Sequence, residues 1–563
     1  MTLRFVIAFS FVSLSCGGKA QDFGSGKQAT WAKLSAQSSR VSSGVIYYVS
    51  PNGNDLNKGN SSSCPWKTIR KVNAVKLKPG DQVLFQGGHR FVGNIIVSSS
   101  GAKGQCIRYS SYGKGKAVID AGSGTGINAR NKSDVWIDSL VIKGAFDEKT
   151  QEGNDGYGIE YLNDLPGGIT LGICFVSNCD ISGFMRAGIQ FMAKPKDHSS
   201  SGFSNLVVYA NTVHDNSVAG ISSLVDYPAA PGSPDYAFRN VYIGFNRVYH
   251  NLGYTPGTGG HTGDGIVIGS AGGGVIEHNV AWDNGWKNVN IKGGPAAIWC
   301  WDSTRILFQF NEAYGNGSAS KVDGDGFDLD GGTTYCIMQY NYSHDNEGAG
   351  FLLWEYGNPR GAASHNILRY NISKFDGNPN GYSSIFIGAN AGICSDNDFY
   401  NNTCFNIGSC VHVVDGNVRN RFFNNIFYST DRDSSIVIVK EGGWFLNNDY
   451  YNSGGGFKAA FGDRIFESLS ALRSSGIGES YKGLDYGYNV DPLLNNPANA
   501  GAVGTFFPNT LKCYGLNAGS PMKNAGIDLR PFEIEIGNND FNGSKIPEGK
   551  FYDIGACQSI NEE

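Results

Sequence analysis

The sequence predicts an all-β chain wound as a right-handed parallel β-helix, and three observations predict it. The first is a repeat. A unit of the form Asn-x-x-x-x-Asn begins at Asn211, Asn246, Asn279, Asn311, Asn341, Asn401 and Asn447, with degenerate copies at Asn178, Asn371 and Asn424. From 178 to 401 the copies lie 33, 35, 33, 32, 30, 30 and 30 residues apart, then 23 and 23. Fixed periods of this size mark stacked architectures, whereas propeller blades run to about 40–50 residues. The second observation is that each copy carries short β-branched and aromatic runs punctuated by Gly and Asn, with no amphipathic helix of useful length. The third is composition: 79 Gly in 563 residues, with 12% aromatic and 17% charged, suits a turn-rich chain. Coils stack about 4.8 Å apart. Asn recurring at one corner should therefore form a ladder, its amide bonding the turn backbone and the next Asn.

The elements follow in chain order. Arg4 precedes an apolar stretch from Phe5 to Leu14, and Gly18-Lys19-Ala20 forms a small-x-small cleavage site before Gln21, so residues 1–20 read as a signal peptide. The stretch is too short to span a bilayer and no later one qualifies. The reading implies a secreted, extracellular or periplasmic protein; a lipid anchor on Cys16 is the less favoured alternative. Residues 21–43, rich in Ser, Gly and Gln, form a linker. Residues 44–125 are read as an N-terminal cap with the first coils, 126–455 as the β-helix with its groove, and 456–563 as an irregular C-terminal tail packed on the solenoid. Solenoids grow along one axis, so length does not demand several domains.

A formal charge of −5 without Lys/Arg runs excludes a nucleic-acid partner, and the chain is expected to act as a monomer. Eleven of the twelve cysteines lie beyond the leader, and export permits disulfides. Cys174 with Cys179, and Cys404 with Cys410, are near in sequence, while Cys64 and Cys106 are placed to tie the cap. The odd number leaves at least one thiol free or paired between chains. No CxxC or His-x-x-x-His pattern marks a zinc site.

Two resemblances enter at the ends. Tyr47-Tyr-Val-Ser-Pro-Asn-Gly-Asn-Asp55, then Pro65-Trp-Lys-Thr-Ile69 and Pro79-Gly-Asp81, resembles the opening of many secreted parallel β-helix proteins of the pectate-lyase-like superfamily. Asp491-Pro-Leu493, Gly519-Ser-Pro521, Asn524-Ala-Gly526, Asp540-Phe-Asn-Gly543 and Asp553-Ile-Gly-Ala556 resemble the tail of the same group. With the repeat they cover about residues 45–558. The superfamily holds lyases, glycoside hydrolases and epimerases, so the resemblance implies the fold and leaves the reaction open.

Successive coils align on a small residue followed by an apolar strand. Alternation along each strand turns Ile266, Ile298, Phe327, Phe351, Ile385 and Val411 inward. The outer face then reads Val267, Trp299, Asp328, Leu352, Phe386, His412 in one column and Gly269, Trp301, Asp330, Trp354, Gly388, Val414 in the next. Asp302 and Glu355 fall at equivalent turns on either side of the Asp330 coil. Lys292 and Lys321 fall in register before the strands, as do Asp264 and Asp325.

This register gathers the acids of Asp323-Gly-Asp-Gly-Phe-Asp-Leu-Asp330 beside indoles, the pairing that sugar recognition uses: aromatic faces take C–H surfaces and carboxylates take hydroxyls or protons. Glycoside hydrolysis needs two carboxyl groups, ~5–5.5 Å apart for retention and ~6.5–9.5 Å for inversion. Asp330 and Glu355 on adjacent coils, about 4.8 Å apart by stacking, fit the first; Asp328 and Asp330, about 6.7 Å apart along a strand, approach the second. The expected catalytic set is therefore Asp330 as nucleophile or base and Glu355 as acid. In this reading Glu355 faces outward with a raised pKa, and Asp328 and Asp302 orient sugar or water. Trp299, Trp301, Trp354, His412, Lys292, Lys321, His261 and Asp264 are the expected substrate-binding residues, and the insertions at 226–238 (with Tyr227 and Tyr236) and 252–263 (with Tyr254 and His261) should shape the subsites.

The alternative chemistry is β-elimination on a uronate polymer such as pectin or alginate. The acidic segment is similar to the acidic coil of family-nine pectate lyases, which implies Ca²⁺ held by Asp323 and Asp325 together with Asp328. Those enzymes carry a catalytic Lys in a Gly-Phe-Lys context; here Gly350-Phe351 is followed by Leu352. A hydrolase needs no cofactor. A third reading is a non-catalytic polysaccharide-binding surface protein, which needs the aromatic row but not the four acids. The hydrolase is the favoured reading, acting on a polysaccharide or oligosaccharide.

Overall fold

The computed structural model describes residues 44–226, 232, 235–254, 260–504, 511–546 and 552–559. The expected signal peptide with Cys16, the expected linker and Tyr227 lie outside the described residues. From Ile46 onward the chain winds through three sheets of 15, 14 and 13 strands. Within each sheet, strands from successive coils pair in parallel, as Ile298 pairs with Phe327 and Phe327 with Phe351. The antiparallel exception in the 14-stranded sheet is its last pair, Ala459–Phe461 with Arg464–Phe466. The architecture is that of a single-stranded right-handed parallel β-helix.

The expected inner column is present without a slip: Ile266, Ile298, Phe327, Phe351, Ile385 and Val411 pair in turn and are 0–2% exposed. One continuous apolar core runs from Val49 to Leu472. The short helix Ile69–Ala74, capped by the Thr68 hydroxyl on the Lys71 amide, seals the first coils.

The turns are held by Asn side chains, in three ladders rather than one. The longest runs Asn211, Asn246, Asn279, Asn311, Asn341, Asn371, Asn402, Asn425, Asn448, each Nδ2 donating to the next Oδ1 at 2.9–3.1 Å. A second runs Asn216, Asn251, Asn284, Asn316, Asn346 and ends on Asp376. A third joins Asn366, Asn397 and Asn420. In the last coils the laddering residue is the second of each Asn-Asn pair. Asn401, Asn424 and Asn447 instead take positive φ and donate to the tail, at Asp553, Ile527 and Ala525.

The tail lies on an outer corner, where Tyr340, Tyr370, Tyr400 and Phe423 form a second apolar cluster with Leu494, Met522, Leu529, Ile534 and Phe541. The proposed disulfide partners Cys64, Cys106, Cys174, Cys179, Cys404 and Cys410 are free thiols. The last four are small buried residues in the stack, and Cys179 Sγ donates to the Ser177 carbonyl at 3.2 Å. Among the described residues no helix is long and apolar enough to cross a membrane.

Candidate active site

The strands Asp264–Gly269, Ala296–Trp301, Asp325–Leu329, Phe351–Tyr356 and Ile385–Ala391 of the 14-stranded sheet carry the acidic cluster. Their outer columns follow the expected register: Val267, Trp299, Asp328, Leu352, Phe386 and His412 pair in sequence. Asp330 extends its strand by one residue, its amide donating to the Cys300 carbonyl at 2.9 Å.

The two indoles flanking Asp330 lean away from it. A Cβ on Gly269 would lie 2.3 Å from Trp301 Cε2, and one on Gly388 would lie 2.6 Å from Trp354 Cζ3. Trp301 therefore reclines over Gly269, one coil before its own, and Trp354 over Gly388, one coil after. Both glycines lack the side chain that would forbid this. The result is a slot over Asp330, walled by two half-exposed indoles, with Tyr356 lying across Gly331 beside it.

The acids fall into two groups. Asp323 and Asp330 are partly exposed, whereas Asp325 and Asp328 are 1% and 5% exposed. Asp323 is clamped from above: the Tyr382 hydroxyl donates to its Oδ1 at 2.8 Å, and the Gly294 amide donates to Oδ2 at 2.6 Å. Asp330 Oδ1, Asp328 Oδ1 and Asp325 Oδ2 are buried oxygens without a hydrogen-bond partner. Burial pushes the Asp330 carboxyl up to about 7 against the pull of the Gly331 amide; the Asp323 charge adds to the push, and His261 pulls back. Burial also raises Asp323, opposed by its Tyr382 and Gly294 donors, and raises Asp325 and Asp328 well above the carboxylate range. Such groups titrate together, so the proton belongs to the cluster rather than to one residue.

Several expected site residues are buried and bonded within the fold. Glu355 was expected to face outward and is fully buried. The strand runs on through Tyr356, so alternation turns Glu355 inward with Phe351 and Leu353. Its carboxylate accepts three backbone amides, from Gly332 at 2.8 Å and from Gly357 and Asn358 at 2.7 Å. Asp302 is 2% exposed and paired with Arg360 Nε at 2.6 Å, and that guanidinium lies 4.2 Å from the Tyr236 ring. Trp299 is 4% exposed: its indole N–H donates to Asp264 Oδ1 at 3.0 Å and its ring lies under His261, so the insertion covers it. Lys292 and Lys321 are exposed on the approach to the strands, and His412 sits edge-on to Phe386 at 4.9 Å.

Tyr382 was not anticipated. Its signal was present as a Gly- and Asn-rich insertion, Asp376 to Ser383, between two strands of the stack. Nothing local ties that insertion to Asp323, 59 residues earlier. As to metal, the group among the described residues that brings three possible ligand atoms within 4.8 Å of one another is Glu148, Asp215 and His250, at a different corner from the acidic coil. Glu148 there already carries the Lys287 ammonium at 2.7 Å.

No family model matches the chain. The chain is 27% identical to a lacto-N-biosidase of Bifidobacterium longum subsp. longum, over 95% of this chain and 37% of that protein. It thus spans little more than a third of the length of the curated relative it matches. Among solved structures it is similar to a GH136 lacto-N-biosidase from Eubacterium ramulus, with TM-score 0.49 and 21% identity over 71% of this chain and 66% of the other. It is also similar to a pectate lyase, with TM-score 0.42 and 17% identity over 93% and 98%. These structural likenesses concern the fold.

Proposed function

We propose that the chain is a carbohydrate-active enzyme, a glycoside hydrolase whose carboxyl pair is Asp323 and Asp330. One observation carries this reading. Of the acids on the acidic coil, these two reach solvent, each lies in the other's field, and one sits in a slot between two indoles. A sugar ring held between Trp301 and Trp354 rests over the partly exposed carboxyl of Asp330. Asp330 serves there as nucleophile, or as the base for a water. Asp323, at the rim and oriented by Tyr382 and the Gly294 amide, protonates the departing glycosidic oxygen. Mutual repulsion in a buried site keeps one proton on the pair near neutral pH, which such a division of labour requires. Asp323 thus takes the role expected of Glu355, whose carboxylate is committed to three backbone amides.

The relative's name makes lacto-N-biosides the first substrates to offer, followed by a panel of neutral oligosaccharides and uronate polymers. Elimination finds less support, because Leu352 occupies the place of the lyase Lys and is itself 5% exposed. The test follows released reducing sugar and the unsaturated product of elimination together, in wild type, Asp323→Asn and Asp330→Asn. Hydrolysis gives the first signal without the second, and each variant should lose at least about a hundredfold in kcat. Accumulation of unsaturated product, or near-wild-type turnover by both variants, overturns the proposal.

A further inference from the structure

His261 reaches the acidic site from the insertion that precedes the Asp264–Gly269 strand, not from a coil of its own. Its Nδ1 lies 3.4 Å from Asp264 Oδ1, and its ring tilts at 48° over Trp299 with centroids 5.3 Å apart. The same Asp264 oxygen accepts the Trp299 indole N–H at 3.0 Å, so one carboxylate bonds the wall of the site and faces the imidazole upon it. Asp264 is 4% exposed, and the imidazole nitrogen facing it is buried without a hydrogen-bond partner, so the two meet as an ion pair.

We propose that Asp264 and His261 are a positioning unit for the carboxyl pair, Asp264 holding a cationic imidazole against the Gly293–Gly294 loop, whose Gly294 amide in turn holds Asp323. The inference rests on the hydrolase reading above. Without a cation, Asp323, Asp325, Asp328 and Asp330 converge beside Asp264 as acids alone, and like charges so close disfavour ionisation of the four. Asp330 must nevertheless ionise to act as nucleophile or base. Although burial works against it, the Asp264 carboxylate raises His261 to about 9, with Asp323 and Asp330 adding to the effect, so the imidazole stays charged through neutral pH. The elements packed round His261 supply these groups and few others. Asp264 lies on its own segment, Asp323 and Asp330 on the acidic coil, and Trp299 on the strand between. A Cβ on Gly293, in the loop 285–295, would lie 3.9 Å from the ring. That loop carries Lys292, exposed, and Lys287, which is paired with Glu148.

The test is the pH dependence of kcat/KM for wild type, His261→Gln, His261→Lys and Asp264→Asn, with Asp323→Asn and Asp330→Asn alongside. A nearby cation lowers carboxyl pKa values, so its removal raises those of both the base and the acid. Both limbs of the bell should move to higher pH, by about one unit in His261→Gln and by less in Asp264→Asn, which removes an acid charge together with the cation. His261→Lys keeps the charge and should leave the limbs within about 0.3 unit of wild type. A merely structural role would lower the rate in all three without moving the limbs. Superimposable bells, with Asp323→Asn and Asp330→Asn inactive, overturn this inference and leave the hydrolase reading standing. If those two carboxamide variants stay active, both fall.

Discussion

The Asn ladders and the acidic coil are built the same way, from polar side chains stacked on successive turns, yet they end in opposite states. In the ladder, Asn279 donates to the Ile243 carbonyl and to Asn311, and accepts from both the backbone and the side chain of Asn246. Every polar valence is used within the protein. On the acidic coil, three consecutive acids each keep a buried oxygen without a partner. An unpaired buried polar group costs about 1–3 kcal/mol, so the ladder lowers the free energy of the fold and the acidic coil raises it. The comparison teaches that polarity and burial do not identify a site. Glu355 is buried, acidic and fully bonded, whereas Asp330 keeps an oxygen without a partner.

The largest expected effect is catalytic. Asp323→Asn should lose at least about a hundredfold in kcat on a natural glycoside, and a substrate with a nitrophenol leaving group should restore much of it, since that group departs without protonation. Asp330→Asn should lose as much and recover little. The reverse pattern would exchange the two roles while keeping the pair.

The ladder should respond in the other sense. Asn279→Ala strips partners from the Ile243 carbonyl, the Asn246 amide and the neighbouring side chains. It should cost at least about 2 kcal/mol of stability with kcat per folded molecule nearly unchanged. Equal denaturation midpoints would show that water replaces the ladder at no cost.

A smaller effect appears in the pH dependence of stability. The Asp330 carboxyl stands at about 7 in the fold and at the ordinary carboxylate value when unfolded. Below that ordinary value both states hold the proton and the term vanishes. As pH rises from about 4 to about 7, the unfolded chain alone releases it, so the fold loses stability across this window and no more above it. Asp330→Asn removes the term. Its Tm advantage over wild type should grow from pH 4 to 7 and then level off, and an advantage independent of pH would mean that Asp330 is ionised in the fold. The smallest effect is that of chelation. EDTA should change hydrolysis by less than about twofold, whereas a Ca²⁺ site of the oxygen-ligand kind would make it essential.

The fold was legible because a β-helix writes its geometry as a period. Asn spacing gives the coil length and alternation gives the faces, so the column from Ile266 to Val411 could be placed residue by residue. What alternation could not supply was where each strand ends. Had the Phe351 strand been carried through to Tyr356, Glu355 would have turned inward at once. The acidic cluster was legible but the proposed pair was not, because exposure is decided by segments remote in sequence. The insertion bearing His261 covers Trp299, and the loop bearing Tyr382 selects Asp323 out of four acids that look alike in the sequence. In the last coils the tail claims Asn401, Asn424 and Asn447, which shifts the ladder by one residue. Local patterns carry no trace of such long-range contacts.

The most direct test of the contrast between satisfied and unsatisfied acids sets Glu355→Gln against Asp330→Asn, measuring thermal stability and turnover per folded molecule in each. Glu355→Gln weakens charged acceptance of three amides and should lower stability by about 1.5–3 kcal/mol while keeping turnover within about tenfold. Asp330→Asn should be at least as stable as wild type and lose at least about a hundredfold in kcat. An inactive but stable Glu355→Gln, beside an active Asp330→Asn, would contradict the account.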